Sequence, residues 1–165
     1  LRVVMQPIPN VQPVTVAARV VGAQLGARRG AAFAVLVAMI SNIFIGDGWW
    51  TVFQAAGWAS IAIAGSRLSL VTSTGFNLGR ACMASLVAAF WFDFIVSFSI
   101  LDGTIGFTEF IVYLGHGLPF DFLHMVGNLT FVIWMGAWFT QLLEEESSIE
   151  EIKFAVVNSH GIDGR

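Results

Sequence analysis

Apolar residues run almost unbroken through four stretches of the chain, roughly 30–46, 50–68, 81–101 and 122–143, and polar residues collect between them. A membrane-crossing helix needs about 20 mostly apolar residues, fewer where neighbours shield it. Each stretch is therefore a candidate span. A shorter run near 14–27, "VTVAARVVGAQLGA", carries Arg19 and reads as a span only when packed among other helices. Residues 1–8, "LRVVMQPI", read as the end of a further helix whose body is absent. The pattern predicts an all-α integral membrane protein. About five transmembrane helices are expected here, and six in the full-length protein, with the first truncated. Residues 1–143 form the membrane domain and 144–165 a short polar tail, expected as a short helix or a disordered end.

Composition strengthens the membrane reading. Of the 165 residues, 56% are hydrophobic and 12% charged, with mean hydropathy +0.77. Soluble domains carry roughly 45–50% apolar and about 25% charged residues, so this chain has too little polar surface to coat a globule in water. Cys82 is the only cysteine, so no internal disulfide can form.

The net charge of −3 matters less than where the charges sit. Arg28 and Arg29 occupy one short connection, and Arg67 and Arg80 bound another. The opposite connections hold Asp47, Asp102, Glu109 and Asp121 without lysine or arginine. Arginine-bearing short loops favour the cytoplasm. The segments "PNVQP", "GDGWW" and 102–121 are thus expected together on the extracytoplasmic side, with the C-terminal tail in the cytoplasm. Gly22, Gly26 and Gly30 recur at four-residue spacing, which lets helices approach closely in lipid. Internal packing is the first reading of these glycines, and docking onto another membrane subunit the second.

Each of the three outer segments joins backbone-bending residues to polar and aromatic ones. "PIPNVQPVT" holds Asn10, Gln12 and Thr15. "SNIFIGDGWWTVFQAAGW" holds Asn42, Asp47, Trp49, Trp50, Thr51 and Gln54 around a turn at Gly46–Gly48. "GHGLPFDFLHMVGN" holds His116, Asp121, His124 and Asn128. The spacing of Asp121, His124 and Asn128 puts them on one helix face. Aromatic surfaces with a few placed amides, hydroxyls and charges suit a small polar-headed ligand. The bland alternatives are an interfacial belt for the tryptophans and a satisfied helix-end histidine for His124. Asp93 is costly in lipid and should face a partner or a cavity; an internal pair with Arg19 is one option. Two histidines eight apart, His116 and His124, match no metal-site spacing, and a Ser41–His124–Asp121 triad can be drawn only by ignoring geometry. No phosphate loop and no basic nucleic-acid surface are present, so nothing points to an enzyme.

The segments "PNVQPVT", "SNIFIGDGWWTVFQAAGW" and "PFDFLHMVGN", in that order, resemble the signature segments of substrate-binding (S) components of energy-coupling factor (ECF) transporters, nearest the uncharacterised and cobalamin-type group. In the second segment Ser41, Asn42, Phe44, Gly46, Gly48, Trp49, Thr51, Gln54 and Trp58 fit the family form. The chain departs from it with Asp47 for glutamine, Trp50 in a Pro-Trp region and Phe53 for tryptophan. The resemblance covers residues 2 to about 140.

The resemblance implies a six-helix subunit in a prokaryotic plasma membrane that captures a vitamin or related micronutrient from outside, a corrinoid such as cobalamin being the first guess. It implies partnership with a transmembrane coupling subunit and two ATP-hydrolysing subunits, and no cofactor or metal of its own, since ATP is used by the partners. The expected ligand-binding residues are Asn10, Gln12, Asn42, Asp47, Trp49, Trp50, Gln54, Asp121, His124 and Asn128. The alternative from another class is a non-transporting membrane scaffold or assembly protein that holds a protein partner through its outer loops.

Overall fold

A computed structural model describes the backbone of residues 2–8, 10–68, 71–72, 75–101 and 103–162. Side chains are described to residue 149, apart from those at 71, 72, 75, 76, 139, 143, 144, 146 and 147. Five α-helices dominate: α1 (Val14–Leu25), α2 (Ala27–Ile45), α3 (Trp50–Gly65), α4 (Leu78–Ser97) and α5 (Phe107–Ile162). A short antiparallel hairpin, β1 (Val71–Thr72) with β2 (Gly75–Phe76), joins α3 to α4, pairing Val71 with Phe76 and Thr72 with Gly75. A 3-10 turn at Phe98–Ile100 follows α4.

Among the described residues, three helical segments are long and apolar enough to cross a membrane: Ala27–Ile45, Leu78–Ile100 and Phe107–Leu142. The expected span 50–68 is cut shorter, because α3 ends at Gly65 after 16 residues, about 24 Å at 1.5 Å per residue. α1 has 12 residues, about 18 Å, and works as a core element. It packs against each of the other four helices, and eight of its residues are buried, Arg19 among them.

Local chemistry sets the helix ends. Gly26 (φ 86°) breaks α1 from α2, and Gly46 (φ 120°) ends α2, in backbone regions that side chains with a Cβ avoid. The Asn77 side chain accepts from the Arg80 N–H at 3.0 Å and caps α4, satisfying one of the first-turn donors.

Alanine and glycine let the helices close on one another. One core cluster gathers Ala18, Ala34, Ala38, Ala62 and Ala88 around Trp58 and Phe92; a second joins Val16, Val20, Ala81, Phe131 and Val132. A Cβ on Gly22 would collide with the Ala62 carbonyl, and one on Gly30 would lie 2.6 Å from the Gly22 Cα. In this fold those two glycines of the repeat serve internal packing, and Gly26 serves the break between helices.

Two segments differ from expectation. Residues 2–8 are a run of turns, not the end of a helix, with i→i−3 bonds such as Ile8 N–H to Met5 O at 3.0 Å; Pro7 and Pro13 leave too few donors nearby to sustain a helix. The expected loop 102–121 is largely helix, since α5 begins at Phe107 and runs on through the polar tail to Ile162. Pro119 lies inside it, and a polar but helix-favouring run such as "EEESSIEEIK" continues it without an apolar face.

Candidate ligand-binding site

The first polar cluster is organised by Arg2, which the sequence pattern placed in a helix remnant. Its Nε donates to Gln12 Oε1 at 2.9 Å, Nη1 to Asn42 Oδ1 at 2.6 Å and to Ser41 Oγ, and Nη2 to Gln54 Oε1 at 3.0 Å. The guanidinium carbon lies 4.7 Å from the centre of the Trp58 ring, within reach of a cation–π interaction. Burial pulls the Arg2 pKa down from its ordinary value to about 10, which leaves it charged at neutral pH. Acceptors from the turn before α1, from α2 and from α3 thus converge on one planar cation.

The "SN…D…T…Q" spacing forms one directed chain of hydrogen bonds. Asn42 Nδ2 donates to Thr51 Oγ1 at 2.6 Å and to Gln54 Oε1 at 2.9 Å. The Thr51 hydroxyl donates to Asp47 Oδ1 at 2.6 Å, which also accepts from the Gly48 N–H at 2.8 Å. Asp47 therefore closes the turn and polarises the chain behind Asn42. Its charged oxygen is engaged by its own loop.

The second cluster ties four helices together in series. Trp58 Nε1 donates to Thr15 Oγ1 at 3.1 Å, Thr15 Oγ1 meets His124 Nε2 at 3.0 Å, and His124 Nδ1 meets Asp93 Oδ2 at 2.9 Å. Indole N–H can only donate, so Thr15 Oγ1 accepts from Trp58, and its own proton is available to His124 Nε2. A neutral imidazole in this arrangement carries its proton on Nδ1, facing Asp93. The aromatic faces run alongside: Trp58 stacks on Phe92 at 4.5 Å and 19°, and Phe92 meets His124 edge-on at 5.4 Å and 90°.

Beside both clusters opens a cavity of about 350 Å³, whose lining includes Asn10, Gln12, Gln54, Asp93, His116 and Asp121 with the aromatic rings of Phe92, Tyr113 and Phe120. Asn10 holds φ 57°, a conformation asparagine tolerates better than most residues. A neighbouring cavity of about 430 Å³ shares Asp93, Ser97, Gly117 and Asp121. Residues of the first and third outer segments and Gln54 of α3 thus meet at this cavity, whereas the "GDGWW" turn does not line it.

The ten expected site residues divide by position. Asn10, Gln12, Gln54 and Asp121 line the 350 Å³ cavity, and Asn42 lies behind them under Arg2. Asp47 is in its own turn. Trp49 and Trp50 are exposed at 63% and 45%; Trp49 packs edge-on against Phe53 at 5.5 Å, Trp50 covers Gly48, and neither lines this cavity. The aromatic face turned to the polar cluster belongs to Trp58, which is fully buried.

His124 and Asn128 are fully buried and share the inward face of α5 with Asp121, as the three-and-four spacing anticipates. They do not line the cavity. Asp93 pairs with His124, and Arg19 with Ser85 through Nη2 at 2.6 Å, so the Asp93–Arg19 pair does not form. A Ser41–His124–Asp121 triad does not form either, since the Ser41 hydroxyl is held by Arg2 and the Val37 carbonyl. Among the described residues no group of three or more histidine, cysteine, aspartate or glutamate side chains gathers as a metal site. No protein-family model, curated protein or solved structure matches the chain.

Proposed function

We propose that this chain is the ligand-binding membrane subunit of an importer, of the kind its signature segments resemble: an ECF S component that binds a vitamin or related micronutrient. In this reading it lies multi-pass in a prokaryotic plasma membrane, with the cavity end extracytoplasmic and the C-terminal end cytoplasmic. It works with a transmembrane coupling subunit and two ATP-hydrolysing subunits, which use the ATP, and performs no chemistry itself. The observation that carries the reading is the cavity lined jointly by Asn10, Gln12, Gln54 and Asp121, from three separate segments of one end of the bundle.

The lining narrows the ligand. About 350 Å³ lies at the low end of the range of roughly 300–1,000 Å³ for small-molecule sites, which favours one or two rings over a corrinoid. Two carboxyl groups, Asp93 and Asp121, beside amide side chains and aromatic rings favour a ring-bearing ligand with N–H donors or a positive charge.

The test begins with mass spectrometry of small molecules released from the full-length protein purified in mild detergent. Calorimetric titration of the identified vitamin, or of a vitamin panel, then compares variants. Gln54→Ala and Asp121→Asn should each weaken binding about tenfold, or about 1.4 kcal/mol, while Trp49→Ala leaves it unchanged. A protein that carries no ligand and gives no heat with any vitamin would overturn the proposal.

A further inference from the structure

A groove of about 700 Å³ runs between α3 and α4, on residues that the ligand cavity does not use. Its lining contains three arginines, Arg19, Arg67 and Arg80, and no aspartate or glutamate; the rest is mainly apolar, including Leu68, Met83 and Trp91. Arg67 and Arg80 are exposed and flank the α3–α4 connection. From Arg80 to Trp91 the α4 axis rises about 16 Å, close to half of a hydrocarbon core of about 30 Å. The groove thus has a cationic mouth and an apolar trough one leaflet deep.

Arg19 makes the groove electrostatically incomplete. The residue is 2% exposed, its Nη2 donates to Ser85 Oγ at 2.6 Å, and its Nε and Nη1 have no hydrogen-bond partner among the described residues. No carboxylate among those residues pairs with it; the carboxylate in the core, Asp93, is hydrogen-bonded to His124 at 2.9 Å. A buried cation at membrane depth without a counter-charge is costly. An anion in the groove lowers that cost, and the apolar trough requires the anion to carry a hydrocarbon chain.

We propose that this groove binds an anionic phospholipid of the leaflet at the α3–α4 connection. Its phosphate group sits among Arg67, Arg80 and Arg19, and one acyl chain lies along α4 from Met83 to Trp91. Basic pockets between membrane helices on the cytoplasmic side hold anionic headgroups in this way, and the arginine-bearing connection is the one the charge distribution assigns to that side. The site does not depend on the importer reading, because it uses other residues.

The experiment places the full-length protein in vesicles of phosphatidylcholine containing graded brominated phosphatidylglycerol or brominated phosphatidylcholine. Bromine quenches nearby indoles, and Trp91→Phe isolates the Trp91 signal. Half-maximal quenching of Trp91 is expected at a brominated phosphatidylglycerol fraction at least tenfold lower than for brominated phosphatidylcholine. The doubly substituted Arg67→Gln/Arg80→Gln protein should bring the two lipids within about threefold, at roughly fivefold per arginine. Arg19→Gln should also reduce the preference; because that position is buried, the surface pair decides if Arg19→Gln fails to fold. Equal quenching by both lipids, or a preference that survives loss of Arg67 and Arg80, overturns the proposal. So does relief of quenching by soluble glycerol phosphate, which would identify a free phosphate compound as the occupant. Shielding of Trp91 from both lipids would indicate a protein helix in the groove and would overturn it as well.

Discussion

Replacing Thr15 with valine keeps the shape of the side chain and removes the oxygen that serves two buried groups. Trp58 Nε1 loses its acceptor at 3.1 Å and His124 Nε2 its partner at 3.0 Å, with Thr15 1% exposed and both partners fully buried. Water cannot replace the lost bonds at that depth. In soluble cores an orphaned polar group costs about 1–3 kcal/mol, but in lipid the unfolded helices find other partners, and measured couplings average about 0.6 and reach about 1.7 kcal/mol per bond. Thr15→Val should therefore lose about 1–3 kcal/mol in total. Thr15→Ser keeps the hydroxyl and loses one methyl group, about 0.8 kcal/mol of burial plus a small cavity term. Reversible unfolding by sodium dodecyl sulfate, followed by circular dichroism, reads both. A double-mutant cycle with Trp58→Phe isolates the indole bond. If Thr15→Val proves as stable as Thr15→Ser, and the cycle gives no coupling, the series of bonds through α3, α1, α5 and α4 is not a stabilising element.

Gly22→Ala should destabilise the bundle by roughly 1–3 kcal/mol, because the added methyl meets the Ala62 backbone carbonyl rather than a movable side chain; Gly79→Ala, whose nearest contact would be Asn77 Oδ1 at 3.8 Å, is the control in the same unfolding assay. Asp47→Ala should lower the thermal midpoint slightly and leave calorimetric ligand affinity within about twofold, since the Asp47 oxygen is engaged by Gly48 and Thr51. Arg2→Ala removes charge-assisted bonds worth about 1.5–3 kcal/mol each before the desolvation of the guanidinium is set against them. Its midpoint should fall, and low millimolar methylguanidine should restore part of the loss where the same concentration of urea does not.

How much of this was legible in the sequence follows from which forces are local. Apolar runs give helix positions because any stretch that long must be withdrawn from water, and α2, α4 and the apolar part of α5 lie where the runs predict. Helix ends were less legible: α3 stops at Gly65 and α5 starts at Phe107, because polar residues such as Glu109 and His116 tolerate a helix as well as a loop. That Asn10, Gln12, Gln54 and Asp121 share one site was suggested by the polar and aromatic make-up of their segments, and one cavity brings them together. Which aromatic ring serves the site was not legible. Trp49 and Trp50 sit beside polar residues in sequence, yet Gly48 and the turn carry them outward, while Trp58, two helical turns into α3, faces inward beneath Arg2. The role of Arg2 was hidden for a similar reason: its partners, at positions 12, 41, 42 and 54, become neighbours only when α1, α2 and α3 pack.

The two polar clusters share members with the cavity, and this makes a distinction between holding the fold and tuning the site measurable. Asp93 lines the cavity and is held from behind by His124. His124 is held by Thr15, Thr15 by Trp58, and the Trp58 face carries Arg2, two of whose hydrogen-bond partners, Gln12 and Gln54, line the cavity wall. His124→Phe keeps a ring against Phe92 and removes both hydrogen bonds, which frees the Asp93 carboxyl to turn. If the importer reading holds and the ligand contacts Asp93, affinity should fall by about 0.5–2 kcal/mol, roughly two- to thirtyfold, without His124 touching the ligand. Stability alone cannot report this, because any lost core bond lowers it. The informative quantity is affinity measured at a temperature where the variant is fully folded. An affinity equal to the parent's under that condition would make His124 a lock between helices and nothing more; a loss that Asp93→Asn abolishes in the double variant would show that it acts through the orientation of Asp93.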